Sequence, residues 1–146
     1  MTQTQMQPEQ NSFVLFPLGT KRFALPADQV TELAIPDHLQ SFPHRTPLLT
    51  GVLVRRGRIV PVCDVAPTLI GADAPLRKFY LIANRQFDNR NEWTAIPVTG
   101  ECELASVEPQ HPDSKLPGYV LGVLPLENEI VEVVSLEKLI AQEVVE

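Results

Sequence analysis

Apolar residues fall in short, β-rich runs closed by Gly, Pro or Asn, which predicts strands and turns rather than helices. SFVLFPLG (12–19) and KRFALP (21–26) flank a Gly-Thr turn and predict a first hairpin, with Pro17 at an edge or a bulge because it cannot donate to a ladder. ADQVTELAI (27–35) predicts a helical turn capped by Asp28 that then runs extended, since Val30, Thr31 and Ile35 resist a long helix. Residues 36–47, with Pro36, Pro43 and Pro47, predict a loop. TGVLVRR and RIVPVCD, joined at Gly57, predict a second hairpin whose tip uses the freedom of glycine to take positive φ.

KFYLIAN (78–84) and EWTAIPVTG (92–100) predict two further strands separated by the polar loop RQFDNRN, and CELASV (101–107) extends the second or adds another. Residues 108–118, with Pro109, Pro112, Pro117 and Gly118, predict irregular chain. GYVLGVLPLENEIVEVV (118–134) predicts two strands around a polar turn. SLEKLIAQEVV (135–145) switches to a helical period, with Leu136, Leu139, Ile140 and Val144 on one face. Ser135 is its expected N-cap, and Glu137 suits the positive end of the helix dipole.

Sliding the chain against itself by 71 positions (122 minus 51) lays GVLVRRGRIVPVCDVAPTLI over GVLPLENEIVEVVSLEKLIA without a gap. Turns and apolar positions recur together, as expected of two copies of a hairpin leading into a short helix. Arg56 falls on Glu127 and Arg58 on Glu129, so the two copies carry opposite charge at their tips.

Composition narrows the class. A chain of 146 residues is one average domain with enough core to fold without metal or disulfide, and 14 prolines with few aromatics again favour mainly β structure. The net charge of −6 argues against a general polyanion binder, and no aromatic residue is interleaved with Arg55, Arg56 and Arg58, so nucleic acid is not an expected partner. Cys63 and Cys102 lack C-x-x-C spacing and read as small buried hydrophobes in a reducing compartment. No apolar run approaches the roughly 18 residues of a membrane span, and the start MTQTQMQPEQNS carries no secretory pattern. Residues 1–11 therefore read as a disordered polar tail, residues 12–146 as one folded domain, and the location as cytoplasmic.

His38, His44 and His111, with Asp37 or Asp113 nearby, sit in Pro-rich loops at no spacing that aims two ligands at one point, so no metal site is expected. No nucleophile elbow, phosphate-cradling loop or paired carboxylates occur, so neither a catalytic residue nor a cofactor is expected. Three arginines within residues 55–58 stand out against the acidic background. Either they are a solvated tip that protects an edge, or they dock a protein, since the guanidinium fork holds carboxylates in fixed geometry.

TGVLVRRGRIVPVCDV resembles the central motif of the CheW-like family of chemosensory adaptors, which runs roughly I-x-G-V-x-N-L-R-G-x-I-V-P-V-x-D-L. Gly51, Val52, Arg56, Gly57, Ile59, Val60, Pro61, Val62 and Asp64 occupy the matching places. FVLFPLGTKRFALP looks like the family's first hairpin, VTEL (30–33) like its V-x-E segment, and residues 119–140 like its closing strands and helix. The resemblance implies two small interlocked SH3-like β-barrels sharing a core, with short helices and a C-terminal helix. It also implies a non-enzymatic adaptor that couples the cytoplasmic tips of methyl-accepting chemoreceptors to a CheA-type histidine kinase, whose regulatory domain docks on barrel loops.

By the same resemblance, Arg56 is the motif arginine, paired with Glu32, and a receptor tip lies against an apolar strip near Val30 and Val98. Partner binding then falls to Val30, Glu32, Gly51, Val54, Arg55, Arg56, Gly57, Arg58, Val98 and Thr99. The chain departs from the family at Val54-Arg55 (Asn-Leu), Val98-Thr99 (Val-Asp) and Ser135 (an acid), which points to a divergent pathway such as one controlling pili. The alternative is a stand-alone small barrel that binds a small ligand or nucleic acid.

Overall fold

A computed structural model describes residues 11–35, 49–72, 77–87 and 89–144. The strands in chain order are β1 (Ser12–Leu18), β2 (Lys21–Pro26), β3 (Val30–Ala34), β4 (Leu49–Arg55), β5 (Arg58–Cys63), β6 (Phe79–Phe87), β7 (Arg90–Val98), β8 (Glu103–Ser106), β9 (Val120–Pro125) and β10 (Ile130–Val134). Helix α1 (Ala66–Ile70) follows β5, and helix α2 (Leu136–Val144) follows β10. The strands form two five-stranded sheets, ordered β8-β1-β2-β10-β9 and β3-β6-β7-β5-β4.

The repeat reaches further than the hairpin that exposes it. At the same spacing of 71, Ala24 falls on Ala95, Pro26 on Pro97, and Glu32-Leu33-Ala34 on Glu103-Leu104-Ala105. The copies are therefore β1 to α1 and β6 to α2, and their strands are traded. Val62 of β5 pairs in parallel with Ala95 of β7, while its counterpart Val133 of β10 pairs in parallel with Ala24 of β2. Each sheet thus combines the first hairpin of one copy with the last three strands of the other, which is how the two barrels interlock.

Strand alternation sorts the core into three compartments. Phe13 and Leu15 of β1 pack with Ala24, Leu124, Val131 and Val133 inside the first barrel. Tyr80 and Ile82 of β6 pack with Ala34, Leu53, Val60, Val62 and Ala95 inside the second. The intervening residues turn to a shared core, where Phe16, Phe23 and Leu25 of the first sheet meet Leu81, Ile96 and Val98 of the second, closed by Leu69 of α1 and Leu136 and Leu139 of α2. The edges of the first sheet are drawn together by the chain leaving β8: Val107 N donates to Asn11 O at 3.0 Å, and Gln110 exchanges backbone bonds of 2.8 and 2.9 Å with Val123 of β9. Asn11, grouped with the tail in the sequence, is thereby held to the barrel; residues 1–10 lie outside the described residues.

Several local expectations need correction. The segment RQFDNRN is mostly strand, because the β6–β7 ladder continues to Phe87↔Arg90 and only the turn at Asn89, with φ 64°, breaks it. Ala27–Gln29 is a single 3-10 turn entered from Pro26, with Asp28 inside it instead of capping it. Pro17 is on an inner strand, yet it lies beyond the last β1–β8 pair, Leu15↔Glu103, so its missing N–H leaves no gap. The loop expected at 36–47 lies outside the described residues. Ser135 caps α2 as its sequence suggests, its Oγ accepting from Lys138 N at 3.2 Å. At the equivalent place before α1, Asp64 accepts from Ala66 N at 3.2 Å and is paired with Arg77.

Because Phe23 belongs to one sheet and packs in the core common to both, Phe23→Ala should lower stability by about 3–5 kcal/mol. Urea unfolding followed by Trp93 fluorescence, which reports on the other sheet, should shift together with far-UV circular dichroism. A Trp93 transition that stays in place would mean that the barrels unfold independently.

Candidate functional site

Register fixes the arginine tip. Arg55 of β4 faces Arg58 of β5, so Arg56 and Gly57 form a two-residue turn with φ of 54° and 76°. Positive φ at both places is the type I′ pattern, which matches strand twist and favours Asn-Gly. An arginine held left-handed costs on the order of 1–2 kcal/mol, so turn stability alone does not account for Arg56.

Side-chain alternation then builds a charged lid on the second barrel. Arg55 is on the same face of β4 as the buried Leu53, Glu32 on the same face of β3 as Ala34, and Arg58 on the same face of β5 as Val60. At the barrel mouth the Glu32 carboxylate accepts a fork from Arg55, Nε to Oε2 at 3.0 Å and Nη2 to Oε1 at 3.2 Å. Oε1 also accepts from Arg56 Nη2 at 3.2 Å. Strands β3 and β4 are the two edges of this sheet, so one carboxylate ties the edges together through side chains. Hydrogen bonds from Arg56 and Arg55 hold the Glu32 carboxyl below its usual range, against a smaller opposing effect of burial. The Arg58 guanidinium lies 4.0 Å from the centre of the Trp93 ring.

The tip therefore divides by role. Arg55 is the fork partner of Glu32, Arg58 is stacked on an aromatic face, and Arg56, with 65% of its side chain exposed, makes one bond and keeps most of its donors in solvent. Arg55 and Arg58 are thus more than solvated surface, which the sequence alone did not reveal.

The first barrel carries the same lid with its chemistry rewritten. Arg22, 71 residues before Trp93, replaces the ring and binds two acids: Glu103 at 2.8 Å and Glu129 at 2.9 Å. Glu103 is the counterpart of Glu32, and Glu129 the counterpart of Arg58. Leu126, counterpart of Arg55, packs on the barrel core instead of reaching an acid. Inversion of charge at the tip is thus matched by an arginine beneath it. Trp93 and Arg22 were missed as site residues, although the spacing of 71 that pairs Arg58 with Glu129 also pairs these two.

The other expected site residues divide between surface and interior. Val54 is exposed beside the tip, Gly51 is buried in β4, and half-buried Val30 packs against the shared core. Val98 is fully buried in that core, so it is not itself part of an exposed strip. Thr99 is a tie: its N–H and Oγ1 both bond Pro17 O, at 3.1 and 3.2 Å, and Oγ1 accepts from Gly19 N at 2.9 Å. Val98 ends β7 and Thr99 follows it, about 17 and 20 Å along the chain from Trp93. His111 is in an exposed loop, Cys63 and Cys102 are not joined by a disulfide, and among the described residues no group of His, Cys, Asp and Glu is arranged to hold a metal. Burial raises the Cys102 thiol to about 11, which leaves it protonated and unreactive at neutral pH.

A family model described as a CheW-like domain matches residues 12–84, half of the chain, spanning Glu32 and the arginine tip. The fold is similar to the crystal structure of the scaffolding protein TtCheW from Thermoanaerobacter tengcongensis, with a TM-score of 0.75 at 17% identity, covering 88% of this chain and 86% of that one. No curated protein sequence matches the chain.

Replacing the shared acceptor should loosen the seam. Glu32→Gln should cost about 1 kcal/mol at pH 7, read as a lower urea midpoint. The carboxyl is depressed in the folded state, so its contribution is present above the unfolded value near 4.3 and fades as pH falls through the folded one. The gap between native protein and variant should therefore narrow as pH falls below about 4.3, and a gap independent of pH would remove the charge from the explanation.

Proposed function

The chain belongs to the CheW-like domain family, and on that premise we propose that it is a non-catalytic chemosensory adaptor coupling chemoreceptors to a CheA-type histidine kinase. The observation that carries this reading is the family match over residues 12–84, which contains the motif from Gly51 to Asp64. Residues 12–146 act as one CheW-like domain of two barrels. The kinase's regulatory domain and the receptor tip are its partners, in the cytoplasm beside receptor arrays. In keeping with that, no helix among the described residues is long and apolar enough to cross a membrane.

Arg56 is the docking residue. Its guanidinium is exposed, anchored on one side by Glu32, and kept in a strained turn conformation that a structural role would not require. Arg55 and Glu32 hold it in place, Gly57 makes the turn, and exposed Val54 supplies apolar contact beside it. The replacements of the usual Asn-Leu by Val54-Arg55 and of the usual acid by Thr99 direct the adaptor to a divergent pathway, such as one that controls pili.

The direct test is co-purification of the full chain with the regulatory domain of a CheA-type kinase from the same cell; failure to retain any such domain would reject the reading. A finer test uses the turn. Arg56→Asn puts a residue suited to positive φ in place of one that is not, so stability should be unchanged or higher while partner binding weakens about tenfold, the loss of one good interface contact. Thermal unfolding and a binding titration on the same sample separate the two effects, and undiminished binding would show that Arg56 is not the docking residue.

A further inference from the structure

One junction between the halves of the chain is clasped and its counterpart is not. Thr99 and Gly100 follow β7 as Asp28 and Gln29, 71 residues earlier, follow β2. Thr99 N and Oγ1 both donate to Pro17 O, and Oγ1 accepts from Gly19 N, which fastens the β1–β2 turn of one sheet to the chain leaving the other. Register puts Asn84 in the place of Pro17, because Asn84 pairs with Trp93 as Pro17 pairs with Arg22. Yet among the described residues no bond joins Asp28 to Asn84, and the exposed Asp28 carboxylate makes no hydrogen bond or ion pair. A threonine hydroxyl both donates and accepts, whereas an ionised carboxylate only accepts and has nothing to give a backbone carbonyl. The backbones differ as well, a bend at Thr99-Gly100 and a 3-10 turn at Ala27–Gln29.

Without a clasp, the 3-10 turn is held lightly and has room on both sides. It has no side-chain cap and no buried residue, and half-buried Ala27 is its contact with the shared core. Few buried contacts and few side-chain bonds are the marks of a segment that moves locally. On one side is an apolar cleft of about 370 Å³, where Ala27 and Asp28 meet Ser12, Leu104 and Ser106. On the other is a polar cleft of about 290 Å³, where Asp28 and Gln29 meet Asn84, Arg85, Asn91 and Glu137. Asp28 lines both, so the turn is the wall between them. Its exit is irregular too, since the β3–β6 ladder shifts register between Val30 and Glu32.

We propose that the turn Ala27–Gln29 is a movable partition, shifting as a unit between the two clefts so that one widens as the other narrows, while the Thr99 junction stays fixed. The bond from Val30 N to Ala27 O closes the turn on itself and travels with it. What fills one cleft is then felt in the other, and by linkage the effect is reciprocal. The hydroxyl that replaces the family's usual acid at Thr99 thereby decides which of the two junctions moves.

Amide relaxation dispersion on the full-length chain reads such motion on the μs–ms scale. Ala27, Asp28 and Gln29 should share one exchange process that Thr99 and Gly100 lack. Ser106→Phe places a ring in the apolar cleft from an exposed edge-strand position. It should remove that exchange and displace the amide resonances of Asn84, Asn91 and Glu137 across the partition, while unchanged resonances in β4 and β5 report an intact fold. Thr99→Val, which loses the hydroxyl, should bring exchange to Gly19 and Gly100; Thr99→Ser, which keeps it, should not. Native protein without exchange at residues 27–29, equal exchange at Thr99 and Gly100, or Ser106→Phe displacements that stop at the turn would each overturn the proposal. So would a Thr99→Val variant in which Gly19 and Gly100 stay still. Neither kinase nor receptor enters the measurement, so the adaptor reading is tested separately.

Discussion

Hairpins β1–β2 and β6–β7 are apolar on both faces, and a two-sided apolar hairpin must be covered on each side. Phe16 and Phe23 need one partner surface while Phe13, Leu15 and Ala24 need another; Leu81 with Ile96, and Tyr80 with Ile82, repeat the demand. The fold meets it by placing the two hairpins face to face as a shared core and wrapping each with three strands from the other half of the chain. Those three strands bury both faces only where they approach the shared core, as at Val62-Cys63 and Val133-Val134, which frees their outer faces toward the tips for charge. Everything at the barrel mouths follows from that division.

The mouths show how a duplicated frame acquires an asymmetric function. Four positions close each barrel; in one they are Glu, Trp and two Arg, in the other Glu, Arg, Glu and Leu. A change at a tip has its counterpart at the base, Trp93 beneath Arg58 and Arg22 beneath Glu129, so neither lid leaves a charge without a partner. The paired ends of these networks fix geometry, while Arg56, outside the network on all but one side, remains available for recognition.

Much of this was legible in the sequence where local pattern decides. The hairpin at Gly57, the Ser135 cap and the two-barrel class follow from alternation, turn chemistry and family resemblance. What pairs with what across the sheets was not legible, because an apolar strand face says that it is covered but not by which strand. That is why Val98, expected beside an apolar strip that receives a partner, is instead core. Polar composition misled at RQFDNRN, where the ladder overrides it, and counting charges could not separate the fork of Arg55 from the free guanidinium of Arg56, a distinction set by strand parity.

The traded strands also impose a schedule on biosynthesis. A ribosome delivers β1 and β2 first, but their sheet partners β8, β9 and β10 emerge last. The second sheet, β3 to β7, is complete once residue 98 is out, whereas the first hairpin must wait for residue 134. At about 5–20 residues per second, that hairpin spends about 5–20 s after its own synthesis without a sheet to join. During that interval Phe13, Phe16 and Phe23 are uncovered, the condition in which nascent chains engage chaperones or one another. The same arrangement that makes the finished protein a single interlocked body makes its first-born segment the last to fold.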